Sequence, residues 1–260
     1  MQFTLDLTQS LTQNAASYFD KAKKSKKKKE GVHTALAITR KKLQDFDASA
    51  IIAEQKSKSK TVARKGEWFE KFRWGYTTSG FLAVGGRDAE SNEVIVKKYM
   101  EPTDIVFHTE MAGSPFFLLK CGDKKPTEQD IIDIATLTCV YSKAWQKGFS
   151  SVAVFYVEAS QVSKEANSGE YMSKGSFMIR GHKSFLHPPM ELFVSKEESG
   201  RLIVGTQSAL SKRAPSTIRI IPGSAKPTDV AKKVATQLNA QLDECVKMLP
   251  SGGLQMTKVG

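Results

Sequence analysis

The chain has 260 residues, of which 40% are apolar and 25% charged, and it carries a formal net charge of +12. No run approaches the ~18 apolar residues of a membrane span, and Met1–Asp6 lacks the basic and apolar regions of a signal peptide, so a soluble, cytoplasmic protein with no membrane partner is expected. The three cysteines, Cys121, Cys139 and Cys245, are odd in number and widely spaced, which argues for reduced, buried thiols and against a disulfide frame or a zinc knuckle.

The charge is unevenly placed. Residues 21–66 hold 15 Lys and Arg against 4 Asp and Glu, and the remainder is close to neutral. A polyanionic partner or an acidic surface suits such a segment. Residues 9–46 read as one long polar helix with a thin apolar stripe: Leu11, Ala15, Tyr18 or Phe19, Ala22, Val32, Leu36, Leu43 and Phe46. Within it Lys23, Lys24, Lys26, Lys27, Lys28 and Lys29 form an electrostatic arm, read either as a solvated face or as a phosphate attractor. Asp47-Ala-Ser49 offers capping groups for a second helix from about Ala50 through Lys71. Two such helices with a short connection predict an antiparallel coiled-coil arm over 1–66.

At Glu67 the composition changes. Trp68, Phe69, Phe72, Trp74 and Tyr76 interleave with Arg64, Lys65, Lys71 and Arg73. Strands are expected at Gly80–Gly86, Val94–Met100, Asp104–His108 and Phe116–Lys120, with a polar turn at Arg87–Glu93. Thr127 with Asp130 three residues on predicts a capping box opening a helix with the stripe Ile131, Ile134, Ala135, Thr138, Tyr141 and Trp145, ended by Gly148. Further strands are expected at Val152–Val157, Met190–Val194, Arg201–Gly205 and Ser216–Ile221. A last helix starts near Thr228, carries Val230, Val234, Leu238, Leu242, Val246 and Leu249, and gives way at Gly252-Gly253 to a flexible tail, 251–260. The fold class is therefore α+β: a mixed or antiparallel sheet with packed helices over 67–250, preceded by the helical arm.

Residues 161–187 hold three glycines, five serines, four Lys or Arg, two His and three rings. A helix would not tolerate this, since each interior Gly costs roughly 1 kcal/mol relative to Ala. Glycine lets backbone N–H groups approach phosphate, Lys and Arg neutralise it, and flat rings offer faces to unpaired bases. The stretch reads as a nucleic-acid-facing loop and strand pair. The plainer alternative is a hairpin whose Phe177, Met178 and Ile179 enter the core while its basic residues stay wet. P-loop, Gly-x-Ser-x-Gly, His-Glu-x-x-His and Gly-x-Gly-x-x-Gly signatures are all missing from the sequence. The histidines, His33, His108, His182 and His187, are scattered, so no metal or cofactor is implied. His108 could do acid–base work with Asp104 or Glu110, or simply bond to backbone at a strand end.

Several blocks resemble the NFACT-R domain. They are Glu67-Trp-Phe-Glu-Lys-Phe-Arg-Trp74, Gly85-Gly-Arg-Asp-Ala89 with Asn92-Glu93 and Lys97-Lys-Tyr-Met100, Asp104–His108, Tyr141-Ser-Lys-Ala-Trp145, and Gln161–Lys164 with Gly175–Phe185. Asp6-Leu-x-x-Ser10, Asn14-Ala15 and Tyr18-Phe19 resemble the family's lead into its middle coiled coil, and the C-terminal helix looks most like archaeal members. The resemblance implies the RNA-binding module of a ribosome quality-control factor. Such factors bind large ribosomal subunits carrying stalled chains, recruit tRNA, chiefly alanyl-tRNA, and support template-free C-terminal tailing while the ribosome makes the bond. Their N-terminal domain and helix-hairpin-helix region are not in this sequence, so it is either the C-terminal part of a longer factor or a stand-alone relative.

On that reading Arg73, Arg87, Lys97, Lys98, Lys164, Lys174, Arg180, His182 and Lys183 contact tRNA or rRNA phosphate, with His108 beside them. Trp74, Tyr171, Phe177 and Phe185 supply stacking surfaces. Core packing is the competing role for at least two of Trp68, Phe69, Phe72 and Trp74, and an Arg87–Asp88 pair is the competing role for Arg87. Two other functions stay open: a protein-interaction module docking on ribosomal proteins through the arm, and an RNA-modifying or accessory protein centred on His108.

Overall fold

The computed structural model describes residues 4–44, 66–164, 175–214 and 216–258. The chain divides into two compact units, Met1–Lys65 and Gly66–Gly260.

In the first unit Leu11–Gln44 is a single helix, α1. Its start is held by a hook. The Asn14 amide bonds both the backbone N–H (2.9 Å) and the carbonyl (2.9 Å) of Asp6, and the Tyr18 hydroxyl donates to the Thr4 carbonyl at 2.7 Å. Asn14 is buried, while Leu11, Phe19, Val32 and Leu36 of the expected stripe, and Ile38 beside it, are exposed. The second arm helix falls mainly on residues 45–65, outside the described residues. Its expected last turn, 67–72, is instead a series of tight turns closed by Glu70 N–H to Glu67 O and Phe72 N–H to Phe69 O.

The second unit is organised by strand alternation. Strands β1 (Arg73–Tyr76), β2 (Leu82–Gly85), β3 (Ile105–Thr109), β4 (Phe117–Lys120), β5 (Val154–Glu158) and β8 (Ser184–Leu186) form one sheet in the order β1-β2-β4-β3-β5-β8. Strands β9 (Leu192–Lys196), β10 (Leu202–Gly205), β11 (Thr217–Ala225) and β12 (Leu254–Lys258) form a second, in the order β10-β9-β11-β12, and β6 (Val162–Ser163) pairs with β7 (Met178–Ile179). Every pairing is antiparallel. Period-two side chains send Phe107, Phe117 and Leu119 into one core and Val106, Phe116 and Leu118 into another. The α+β expectation stands.

The first core surrounds α3 (Glu128–Val140), whose expected capping box is present: Thr127 Oγ1 accepts from Asp130 N–H, and Asp130 accepts from Thr127 N–H. This helix is buried well beyond one stripe, with Ile134 through Val140 all enclosed between the sheets. It ends at Val140, with Tyr141 as its C-cap, well before the expected end at Gly148, because Ser142 caps a new short helix, α4 (Lys143–Gln146). Two buried carboxylates on α3 collect the β1–β2 turn. Asp133 accepts from Thr78 N–H and Oγ1, both at 2.7 Å, and from Thr206 Oγ1 at 2.5 Å, and Asp130 accepts from Ser79 N–H at 3.0 Å. At Gly75 the first sheet abuts the second so closely that a Cβ there would lie 2.6 Å from the Val204 carbonyl oxygen.

Three expected elements are corrected. Val94–Met100 is not a strand. Asp88 and Ser91 form a capping box that starts helix α2 (Ala89–Val94), and one π turn, Ile95–Tyr99, continues it. The cap outweighs the weak strand preference of Val94-Ile-Val96. The described part of the expected flexible tail, 251–258, is not a tail either: β12 pairs with β11 from Ile218↔Lys258 to Pro222↔Leu254. The final helix is two helices, α6 (Pro227–Leu238) and α7 (Leu242–Met248), separated where Asn239 turns left-handed at φ 46°. A sixth short helix of this unit, α5 (Gln207–Ser211), follows β10.

Gly75→Ala should lower unfolding stability by about 2 kcal/mol through overpacking at the Val204 carbonyl, measured by urea denaturation. Asp130 has a folded pKa of about 2: burial raises it, and hydrogen bonds from Thr77, Thr127 and Ser79 together overcome this. Its ordinary value is 3.8, so its stabilising share is complete above that pH and is lost as pH falls towards 2. Thermal melts across this range should show a shallower acid slope for Asp130→Asn than for the parent chain.

Candidate nucleic-acid interface

A cleft of about 900 Å³ opens on the second unit where four segments meet. Its walls come from the end of β2 and the start of α2 (Gly86–Ala89), the β3–β4 loop (Glu110–Pro115), the α3–α4 junction (Tyr141–Lys143) and the strand entry at Gly175–Ile179. Gly175 makes the last wall possible. It has φ +78°, and a Cβ on it would sit 2.6 Å from the Ala89 backbone.

Cations line this cleft: Arg73, Arg87, Lys143 and Lys183, against Asp88 and Glu110. The two arginines do not reach for phosphate freely, as expected, but close the end of α7. Arg87 Nη1 donates to the Lys247 carbonyl at 3.0 Å and Arg73 Nη1 to that of Leu249 at 3.3 Å. The last carbonyls of a helix lack intrahelical partners and carry partial negative charge, so guanidinium groups suit them. Arg87 also donates through Nε to Lys71 O and through Nη2 to Phe72 O. The Arg87–Asp88 pair is replaced by these carbonyl bonds, because the Asp88 carboxylate is occupied capping α2 through Ser91. Burial first, and the Arg73 charge second, lower the pKa of Arg87 from its ordinary value. A guanidinium has five N–H donors, so three bonds leave two for a ligand. Arg73 also lies 4.1 Å over the Tyr141 ring, whose hydroxyl donates to Met248 O at 2.6 Å.

The cleft floor is a chain of rings. Phe177 meets Phe116 edge-on at 5.0 Å, Phe116 stacks on His108 at 4.2 Å, and His108 lies 5.9 Å from Phe155; Phe185, outside the cleft lining, meets Phe155 at 6.1 Å. Lys183 Nζ sits 4.5 Å over Phe155. His108 is one plate of this floor, not a charged phosphate contact. Its Nε2 is 3.2 Å from the Ser114 carbonyl, and burial pushes its pKa down to about 4, with Lys183 adding a small repulsion. The strand-end role bonded to backbone is the one observed. Among the described residues no group of three or more His, Cys, Asp or Glu could hold a metal.

The other expected site residues are dispersed. Trp74 is no stacking surface: it is 2% exposed, wedged 5.1 Å from Phe69 with Arg201 over its ring. Phe69 and Phe72 are buried with it, whereas Trp68 is 38% exposed. Lys97 pairs with Glu93 at 2.7 Å, and Lys164 pairs with Glu93 at 3.6 Å while lying over Phe177. Lys98 lies over Tyr99. Arg180 and His182 are exposed on a turn outside the cleft, fastened by Gln161 Nε2 to the carbonyls of both residues at 2.8 and 2.9 Å. In the described part of 161–187 the plainer reading is the one observed for Phe177 and Ile179, which pack on the second core, while the turn at Arg180–His182 is exposed. Tyr171 and Lys174 lie outside the described residues. Lys23, Lys24 and Lys26 to Lys29 are exposed along α1. Sequence reasoning missed Lys143 as a site residue. It stands inside Tyr141-Ser-Lys-Ala-Trp145, a block already conspicuous in the sequence, but periodicity assigns it only to a helix face.

Comparison with known proteins matches residues 71–181 to the family described as the NFACT protein RNA binding domain. The archaeal Rqc2 homolog aRqcH of Methanocaldococcus jannaschii is 31% identical over 206 residues, covering 76% of this chain and 31% of that protein. The ribosome quality control complex subunit NEMF homolog of Drosophila melanogaster is 38% identical over 189 residues, covering 70% and 18%. The human ribosome quality control complex subunit NEMF is 38% identical over 186 residues, covering 67% and 16%. The chain thus spans about a third or less of these relatives' own length. Residues 71–181 are an NFACT protein RNA binding domain, and the chain belongs with the homologous archaeal and eukaryotic ribosome quality control factors.

Proposed function

We propose that this chain is the non-catalytic RNA-binding part of a ribosome quality control factor, working in the cytoplasm on obstructed large ribosomal subunits. There it contacts tRNA and large-subunit rRNA and supports C-terminal alanine tailing of stalled chains. The observation that carries the reading is the cleft, in which four cations stand around a floor of rings. RNA outside a regular duplex needs phosphate neutralisation and open ring faces; the cations supply the first, and half-buried Phe177 is the ring of this floor open to a base, since Phe116 and Phe155 are buried. His108, the group with which an enzyme would work here, is a neutral ring occupied by the Ser114 carbonyl. The lysines of α1 add sequence-independent attraction that steers without specifying. The tRNA and tailing parts of this proposal rest on the family, whose relatives are named for ribosome quality control.

Lys143 and Lys183 separate binding from folding, because neither caps a helix. The double variant Lys143→Glu/Lys183→Glu should bind tRNA at least about ten-fold more weakly and lose about 1.4 from the slope of log K against log salt, two single-strand phosphate contacts. An unchanged slope in the folded variant would remove the cleft from the interface.

The His108 assignment has its own pH signature. Its pKa is 6.5 when unperturbed and about 4 in the fold, so the unfolded chain binds the extra proton between these values. Stability should be complete above about pH 6.5 and fall by up to about 3 kcal/mol towards pH 4. Urea titrations at several pH values should show that slope, and His108→Phe should flatten it.

A further inference from the structure

Beside Arg87, outside the cleft, lies a second aromatic surface. Trp68 stacks face to face on Tyr99, with centroids 4.3 Å apart and planes 13° from parallel. Its neighbours in the ring-rich run, Phe69, Phe72 and Trp74, are at most 6% exposed, but Trp68 is 38% exposed. Phe69 and Phe72 approach it edge-on, at 5.8 and 6.4 Å. The indole is therefore held from below by Tyr99 and from its rim by two buried rings. A ring needed only for the core would have been drawn into it.

The chemistry around this plate is cationic. Lys71 Nζ donates to the Tyr99 hydroxyl at 3.1 Å, and Lys71 and Lys98 lie 5.3 and 5.5 Å over the Tyr99 ring. The lysine hydrogen bond comes first among the causes that lower the Tyr99 pKa. Glu67 and Glu70 are the acids of the same turn. The plate is physically joined to the cleft, since Arg87 Nε holds the Lys71 carbonyl at 3.1 Å and Arg87 lines the cleft wall.

We infer that the Trp68–Tyr99 plate is a second RNA subsite, on which an unpaired base stacks while Lys71 and Lys98 neutralise its flanking phosphates. This rests on the RNA-binding reading above and extends it. A strand of unpaired nucleotides passing Arg87 would meet rings and cations in both places, the pattern of single-strand binding surfaces. A base-paired helix keeps its bases stacked inside and has no face to offer the indole.

The three tryptophans supply the probe. Trp74 and Trp145 are 2% and 1% exposed, so Trp68 alone is open to solvent. In the full chain, acrylamide should quench the Trp68 share of the emission, and an oligouridylate should quench it further and shield it from acrylamide. A blunt RNA duplex should do neither. Trp68→Leu should abolish the oligouridylate signal and weaken binding about five- to ten-fold, the loss of one stacked base. Trp68→Phe, which keeps a ring, should recover most of that affinity. Lys98→Glu, an exposed change, should weaken binding with the fold intact, which keeps the test valid if Trp68→Leu is unstable.

Oligouridylate binding with unchanged affinity in all three variants would overturn the subsite and leave the cleft reading standing. The same holds if acrylamide cannot reach Trp68, which would mean the plate is covered. Equal shielding by the duplex would overturn base stacking. If neither oligouridylate nor tRNA binds the parent chain, the RNA reading falls together with the subsite.

Discussion

Much of the second unit hangs on two carboxylates without which its sheets would not meet as they do. Asp130 and Asp133, on successive turns of α3, are both buried and are satisfied by amide and hydroxyl dipoles from the β1–β2 turn and from Thr206. A desolvated carboxylate is costly unless its lone pairs are filled, so the turn must stay where its N–H groups point at the helix. That fixes β1, which brings Gly75 against Val204 and so locks the first sheet to the second. Arg73 and Arg87 flank this joint in the chain, at the ends where the cleft wall is built. The face that bears the cleft is thus a consequence of a polar junction at the other end of β1.

Positive charge is used twice over. Arg73 and Arg87 satisfy carbonyls at the end of α7, and Lys120 is paired with Asp104 at 2.6 Å. Lys97 and Lys164 share Glu93. Each basic residue in a strand-rich domain has to be either wet or matched, and several that look like polyanion contacts by composition are matched internally. What remains directed at the cleft is the unspent donor capacity of the arginines, together with Lys143 and Lys183.

This explains which features were legible in the residues. The α3 capping box and the alternating strands β2 to β5 follow from local chemistry, and their positions match to within a few residues. Residues 94–99 were misleading, because three β-branched residues in a row look like a strand while Asp88 and Ser91, outside that run, decide for a helix. The β12 strand was hidden behind Gly252-Gly253, and it forms only because β11 offers an edge that no local pattern discloses. Burial of Trp74 depends on which face of β1 turns inward, a parity set by pairing with β2, whereas exposed Trp68 lies in the tight turns before that strand. The coordinated roles of Arg73 and Arg87 link residues some 160 to 176 positions apart, beyond the reach of any periodicity.

Residues 247–253 are gripped by four side chains from the earlier part of the unit: Arg87 on Lys247, Tyr141 on Met248, Arg73 on Leu249, and the Trp145 indole on Gly253. The segment by which the family is recognised, 71–181, is therefore not the segment that folds. The matched stretch and the last stretch of the chain are held together by these bonds. All four acceptors are backbone carbonyls, so these bonds depend on the path of the chain at 247–253 and not on which side chains it carries there.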